Sequence, residues 1–145
     1  MTELYLDYEE SSYGGEVINP EDRWSDRTEE VTEFYPKDLY LDRNKAGIRW
    51  AETIEAPFEV ERGDIVHLVI VRYGSGDTFG HSSGHWAIMG LTKDEKVASE
   101  LARRINTDEY DGTEEGVAGY YVGWAPWRGY FESLESCDVH TFEVK

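Results

Sequence analysis

The chain has 145 residues, 39% hydrophobic and 14% aromatic, with 31 acidic against 14 basic side chains and a formal net charge of −17. That length suits one domain burying roughly 68–70% of its extended-chain surface, and the aromatic content argues for folding despite the charge. The single Cys137 excludes an internal disulfide framework and a Cys-only zinc site, no run approaches the roughly 20 apolar residues of a membrane span, and the lack of a Lys/Arg cluster argues against direct nucleic-acid binding.

The opening MTELYLDYEE carries neither a basic region nor an apolar run for export, so a cytoplasmic location is expected, and an acidic surface is repelled by anionic lipid. Within it, residues 3–10 alternate Leu4, Leu6 and Tyr8 with acids or Tyr5, predicting a half-buried strand with one wet face. SSYGG is expected to break that strand. Residues 16–38 hold two prolines and many charges with no sustained period, predicting a long acidic excursion with one helical turn near residues 20–24. LYLDRN at 39–44 echoes LYLDYE at 4–9 and predicts a second short strand.

Phe58 and Val60 alternate with Glu59 and Glu61 in a further short run, closed by a Gly63-Asp64 turn. DIVHLVIVRY is apolar at nearly every position from Ile65 to Val71 and rich in β-branched residues, the pattern of a central strand covered on both faces; HWAIMGLT at 85–92 is its expected neighbour. Thr92 and Glu95 match a capping box, and Val97, Leu101 and Ile105 recur at helical spacing ahead of Arg103 and Arg104, predicting a helix over about 93–105. NTDEYDGTEEG then reads as a polar loop, YYVGW as a short strand or turn, APWRGYFESLES as a stretch with room for a short helix, and VHTFEV as a closing strand. The expected fold is α+β: a mainly antiparallel β-sheet of about four to six strands with one main α-helix packed on it. Residues 1–145 are expected to make a single domain, with an acidic N-terminal part of short strands (1–62) and a sheet-helix core (63–145).

Gly76 to Trp86, GDTFGHSSGHW, concentrates glycines, hydroxyls and the ligand-type side chains Asp77, His81 and His85. Spacings of four suit a metal or a small ligand, but the interspersed glycines and serines disfavour the helix that would put the histidines on one face, and no further Cys or His closes a shell. No lysine of a phosphate-binding loop is present either. GDIVHL followed by GHWAIMGL resembles part of the cysteine peptidases of the cell-wall hydrolase type, whose catalytic histidine opens the second strand as His85 would; their nucleophile precedes this block, whereas Cys137 follows it, so no acyl-enzyme is implied. A hairpin connection between two apolar strands accounts for the same residues, with glycine, Asp77 and the hydroxyls serving the turn. No catalytic residue, metal or cofactor is assigned.

Acids concentrate at the two ends of the chain: residues 1–62 carry 17 against 7 bases, 63–105 carry five against five, and 106–145 carry nine against two. Solubility and adaptation to salt account for such an excess, and only five of the 14 bases are lysines. Carboxylates spread over a rigid surface also imitate the phosphates of duplex DNA, one charge per ~1.7 Å of axis. Among the aromatics, Trp124, Trp127, Tyr130 and Phe131 suit core packing or, if exposed beside acids, an interface anchor.

The block 71–80, VRYGSGDTFG, with GHWAIMGL, the helix and WRGYFESLE at 127–135 resembles small uncharacterised accessory proteins of tailed phages over roughly residues 63–145. That resemblance implies a virus-encoded protein acting in the host cytoplasm and carries over no site residue. Together with the charge pattern it leads to the expectation of a non-enzymatic acidic protein that inhibits a basic, nucleic-acid-handling host enzyme or defence complex by DNA-like charge mimicry. Its surface would comprise Glu9, Glu10, Glu21, Asp22, Glu29 and Glu30 with Asp108, Glu109, Asp111, Glu114 and Glu115, anchored by Trp124 and Trp127. The alternatives are a small-molecule or nucleotide-signal binder or hydrolase using Asp77, His81 and His85, and a phage structural or assembly component binding through the tryptophans. Partner identity and oligomeric state are not legible.

Overall fold

The computed structural model describes residues 2–18, 26–43, 51–76, 82–110 and 132–145. In chain order these form β1 (Thr2–Ile18), β2 (Asp26–Tyr40), β3 (Ala51–Ala56), β4 (Ile65–Gly76), β5 (Ser82–Thr92), α1 (Glu95–Asn106) and β6 (Glu132–Glu143), an α+β fold. The strand order β3-β1-β2-β5-β4-β6 divides into two antiparallel halves of three strands, with β1 between β3 and β2 and β4 between β5 and β6. β2 joins the halves at both of its ends. Near its start it pairs in parallel with β5 over only Glu29–Ser82 and Glu30–Ser83. At its end the Lys145 N–H donates to the Leu39 carbonyl and the Lys145 carbonyl accepts from the Leu41 N–H, both at 2.9 Å.

Successive side chains of a strand point to opposite faces, and that period sorts the apolar residues into two cores. Leu4 and Leu6 of β1, Phe34 and Leu39 of β2, Ile54 and Ala56 of β3, Val66, Leu68 and Ile70 of β4, Ile88 and Leu91 of β5 and Phe142 of β6 meet between the halves. Val69 and Val71 point the other way, with Met89 and Cys137, onto Ala98, Leu101, Ala102 and Ile105 of α1. β4 is therefore buried on both faces, as its nearly continuous apolar run predicts. A register shift opposite Val69/Ile70 adds one residue to β5, which is how Met89 reaches the helix side while Ile88 and Leu91 keep the other.

The helix begins two residues later than a Thr92 capping box implies. Asp94 is the N-cap, its Oδ1 accepting from Lys96 N–H at 2.9 Å, while Thr92 Oγ1 accepts from Asp94 N–H at 3.1 Å. The nearer aspartate wins because its carboxylate reaches the exposed amide two residues ahead and favours the positive end of the helix dipole. The turn at Glu61–Asp64 forms as expected, with Gly63 at φ +91° and Asp64 N–H donating to Glu61 O at 3.1 Å.

Several other expectations fail. β1 does not stop at SSYGG but continues to Ile18, and the expected acidic excursion is largely strand, as β2 occupies Asp26–Tyr40. These two strands pair from Tyr5–Tyr40 to Ile18–Asp26, so the ladder supplies the backbone hydrogen bonds that Gly14, Gly15 and Pro36 argue against locally. Leu39 and Tyr40 end β2 rather than opening a separate strand. The third strand lies ahead of the run around Phe58 and Val60, at Ala51–Ala56, and residues 132–136, the described part of the stretch expected to have room for a helix, begin β6. The helical turn expected near residues 20–24 lies outside the described residues.

Candidate functional site

The outer face of the β3-β1-β2 half carries carboxylates set opposite one another across strands. Because Leu4 and Leu6 point inward, Glu3, Tyr5 and Asp7 point out, and the register sets Glu3 directly opposite Glu55 of β3 and Asp7 directly opposite Asp38 of β2. Directly opposed side chains have Cβ atoms about 4.5–5.5 Å apart, where like charges destabilise a sheet. Two such pairs, about 13 Å apart along β1 at the usual strand rise, flank Tyr5, with Tyr40 opposite it. The phenols are placed to stabilise charge: Tyr5 Oη donates to Glu3 Oε2 at 3.0 Å and Tyr40 Oη to Asp38 Oδ2 at 3.5 Å. The Glu3 carboxylate in turn raises the Tyr5 phenol above its ordinary value. Cations also meet this face: Lys37 pairs with Glu9 Oε1 at 2.5 Å and feels the Asp7 and Asp38 charges, Lys145 pairs with Asp38 Oδ1 at 3.0 Å, and the Arg43 charge acts on Tyr5.

Beside this face lies an open cavity of about 400 Å³ lined by Tyr40, Arg62, Gly63, Glu143, Val144 and Lys145. Its lining mixes two cations with a carboxylate. It therefore defines a mixed-charge rim to the acidic face.

A second feature sits between the halves. Phe34 of β2 stacks on Trp86 of β5 with centroids 3.9 Å apart and planes 12° apart, and Tyr8 of β1 meets both rings at 5.4 and 5.2 Å. Arg72 of β4 crosses to this cluster, its Nη2 donating to Phe34 O at 2.8 Å and its guanidinium 6.0 Å from the ring centroid. On β6 the His140 Nε2 is buried without a hydrogen-bond partner. Burial, reinforced by the Arg72 charge and opposed by Asp138, holds that imidazole below its ordinary pKa. This part of the joint between the halves therefore combines three rings with one guanidinium.

The sequence-predicted residues scatter over the fold. Glu9 is exposed on β1, and Glu10, Glu29 and Glu30 are strand residues, the last two at the parallel contact with β5. Asp108 follows α1 with φ 59°, and the exposed Glu109 accepts from Arg103 Nη1 at 2.9 Å, while Glu100 holds the rest of that guanidinium. Glu9 and Glu109 are ion-paired, as Asp38 is to Lys145, and the sequence reading did not single out Glu3, Asp7, Asp38 or Glu55. Alternation in ELYLDYEE marks Glu3 and Asp7 as wet-face residues; their opposite numbers depend on register, which the sequence does not display. Glu21, Asp22, Asp111, Glu114, Glu115, Trp124 and Trp127 lie outside the described residues, as do Tyr130 and Phe131.

β4 and β5 pair out to Gly76–Ser82, so the described residues of the Gly/His-rich stretch lie in these two strands. His85 is an exposed strand residue whose ring lies 5.3 Å from that of Tyr73; Asp77 and His81 lie outside the described residues. Cys137 is separated from His85 by the whole of β4, so their strands are about 9–10 Å apart. Burial, with Asp138 adding to it, pushes the thiol up to about 12, which leaves no thiolate to attack an acyl group. Among the described residues no group of three His, Cys, Asp or Glu is placed to hold a metal ion, and no helix is long and apolar enough to cross a membrane. Comparison with protein-family models, curated proteins and solved structures finds no match to the chain.

Proposed function

We propose that the protein is a non-enzymatic acidic interaction protein whose partner is a basic, nucleic-acid-handling protein, engaged in place of the nucleic acid. The observation that supports this most directly is the pairing of Glu3 with Glu55 and of Asp7 with Asp38 across strands. Like charges directly opposite destabilise a sheet, Lys145 offsets part of this at Asp38, and solubility alone requires no such placement. A cationic partner converts that repulsion into attraction. Carboxylates held at fixed spacing on a sheet present a rigid anionic array, the property that lets a protein compete with phosphates for a basic channel. The proposal extends to a phage-encoded inhibitor of a host enzyme or defence complex acting in the host cytoplasm.

The test is affinity capture from host lysate with elution in steps of salt. The proposal expects one basic nucleic-acid enzyme, retained at low salt, released at intermediate salt and displaced by duplex DNA. A partner that ignores both salt and DNA would overturn it.

A further inference from the structure

The cavity beside the acidic face forms where three stretches of backbone meet. The Gly63 N–H donates to the Val144 carbonyl at 2.8 Å, the Val144 N–H donates to Asp64 O at 2.9 Å, and Lys145 is held from the other side by Leu39 and Leu41. This ladder brings Arg62 and Gly63, residues 143–145 and Tyr40 around a volume of about 400 Å³. Small-ligand pockets span roughly 300–1,000 Å³. Gly63, at φ +91°, gives the cavity a floor without a side chain, and the space its Cβ would occupy is open. Lys145 and Tyr40 are already engaged, Nζ lying 3.0 Å from Asp38 Oδ1 and Oη donating to Asp38 Oδ2 at 3.5 Å. Arg62 and Glu143 are both exposed, and among the described residues neither charged group holds a hydrogen bond or an ion pair, with the other or elsewhere.

We propose that this cavity binds a small zwitterion, a free α-amino acid with an apolar or aromatic side chain. A guanidinium and a carboxylate that line one cavity without pairing leave room between them for one ligand group of each sign. Arg62 presents a planar fork that matches a carboxylate, and Glu143 accepts from an ammonium. The Tyr40 ring and the bare floor at Gly63 receive the side chain. Net charge decides between a zwitterion and a simple ion. A chain of charge −17 repels the anion that Arg62 alone attracts, and a simple cation meets carboxylates over much of the surface without preferring this cavity. A zwitterion has no net charge to be repelled and uses both lining groups at once.

The test titrates the full chain, followed by amide chemical shifts, with L-phenylalanine, with phenethylamine, which lacks the carboxylate, and with hydrocinnamate, which lacks the ammonium. L-phenylalanine is expected to shift residues 62–64 and 143–145 with half-saturation on the order of 1 mM, the affinity open to so small a ligand. Each of the other two should bind there at least tenfold more weakly. Arg62→Gln and Glu143→Gln, both at exposed positions, should each remove that advantage while leaving the remaining amide shifts as in the wild type. Equal binding of phenethylamine at these residues would overturn the proposal, reducing it to the attraction of cations by an acidic surface. Equal binding of hydrocinnamate would overturn the part given to Glu143 and with it the zwitterion. No shift at these residues with about 20 mM L-phenylalanine would overturn the site itself, and none of these outcomes bears on the acidic-face reading.

Discussion

His140 and Asn106 are opposite solutions to one problem, a polar side chain placed against a sheet. His140 leaves Nε2 buried and unbonded, at a cost of about 1–3 kcal/mol for an unsatisfied group. Its folded pKa is depressed, so the unfolded chain binds the proton more readily. The corresponding stability is complete above the ordinary histidine value near 6.5 and is lost as pH falls through the folded value. Asp64 and Glu100 are also held below their ordinary values, Asp64 by the Glu61 N–H and Lys93 and Glu100 by Arg103, and their contributions are lost only in stronger acid. Thermal melts from pH 8 to 3 should therefore show two declines, and His140→Phe should remove the upper one without lowering the midpoint at pH 7. Asn106 satisfies both polar groups of Cys137. Asn106→Ala should cost about 1–3 kcal/mol, read as a lowered urea midpoint.

Elements whose burial is one-sided or complete were legible in the sequence, and those held by pairing were not. The run from Ile65 to Val71 could only be a strand covered twice, and Val97, Leu101 and Ile105 announced α1 at nearly its observed bounds. Gly14, Gly15 and Pro36 pointed to interruption, yet they lie within the longest strand pair, because partner backbone decides what local propensity leaves open. The acidic face was half visible. Leu4 and Leu6 fixed the wet side of β1, but the register that sets Glu55 against Glu3 and Asp38 against Asp7 arises from contacts distant in sequence. That register carries its own prediction. Glu55→Gln should raise stability by about 0.2–1 kcal/mol in chemical denaturation, the reverse of the usual outcome of a substitution, while weakening partner binding.

For the whole molecule, the charge of −17 couples stability to ionic strength. Exposed charges are screened beyond ~8–10 Å near physiological salt, so added salt should raise the melting temperature. Glu55→Gln combined with Asp7→Asn should reduce that rise, because it removes one member of each opposed pair. The same double variant separates function from tolerance of charge, since a merely soluble acidic protein gains stability and loses nothing. The decisive measurement is the salt concentration at which the captured basic partner elutes from the wild-type protein and from the Asp7→Asn/Glu55→Gln variant. The acidic-face account predicts a markedly lower eluting concentration for the variant despite its higher melting temperature; an unchanged eluting concentration would contradict it.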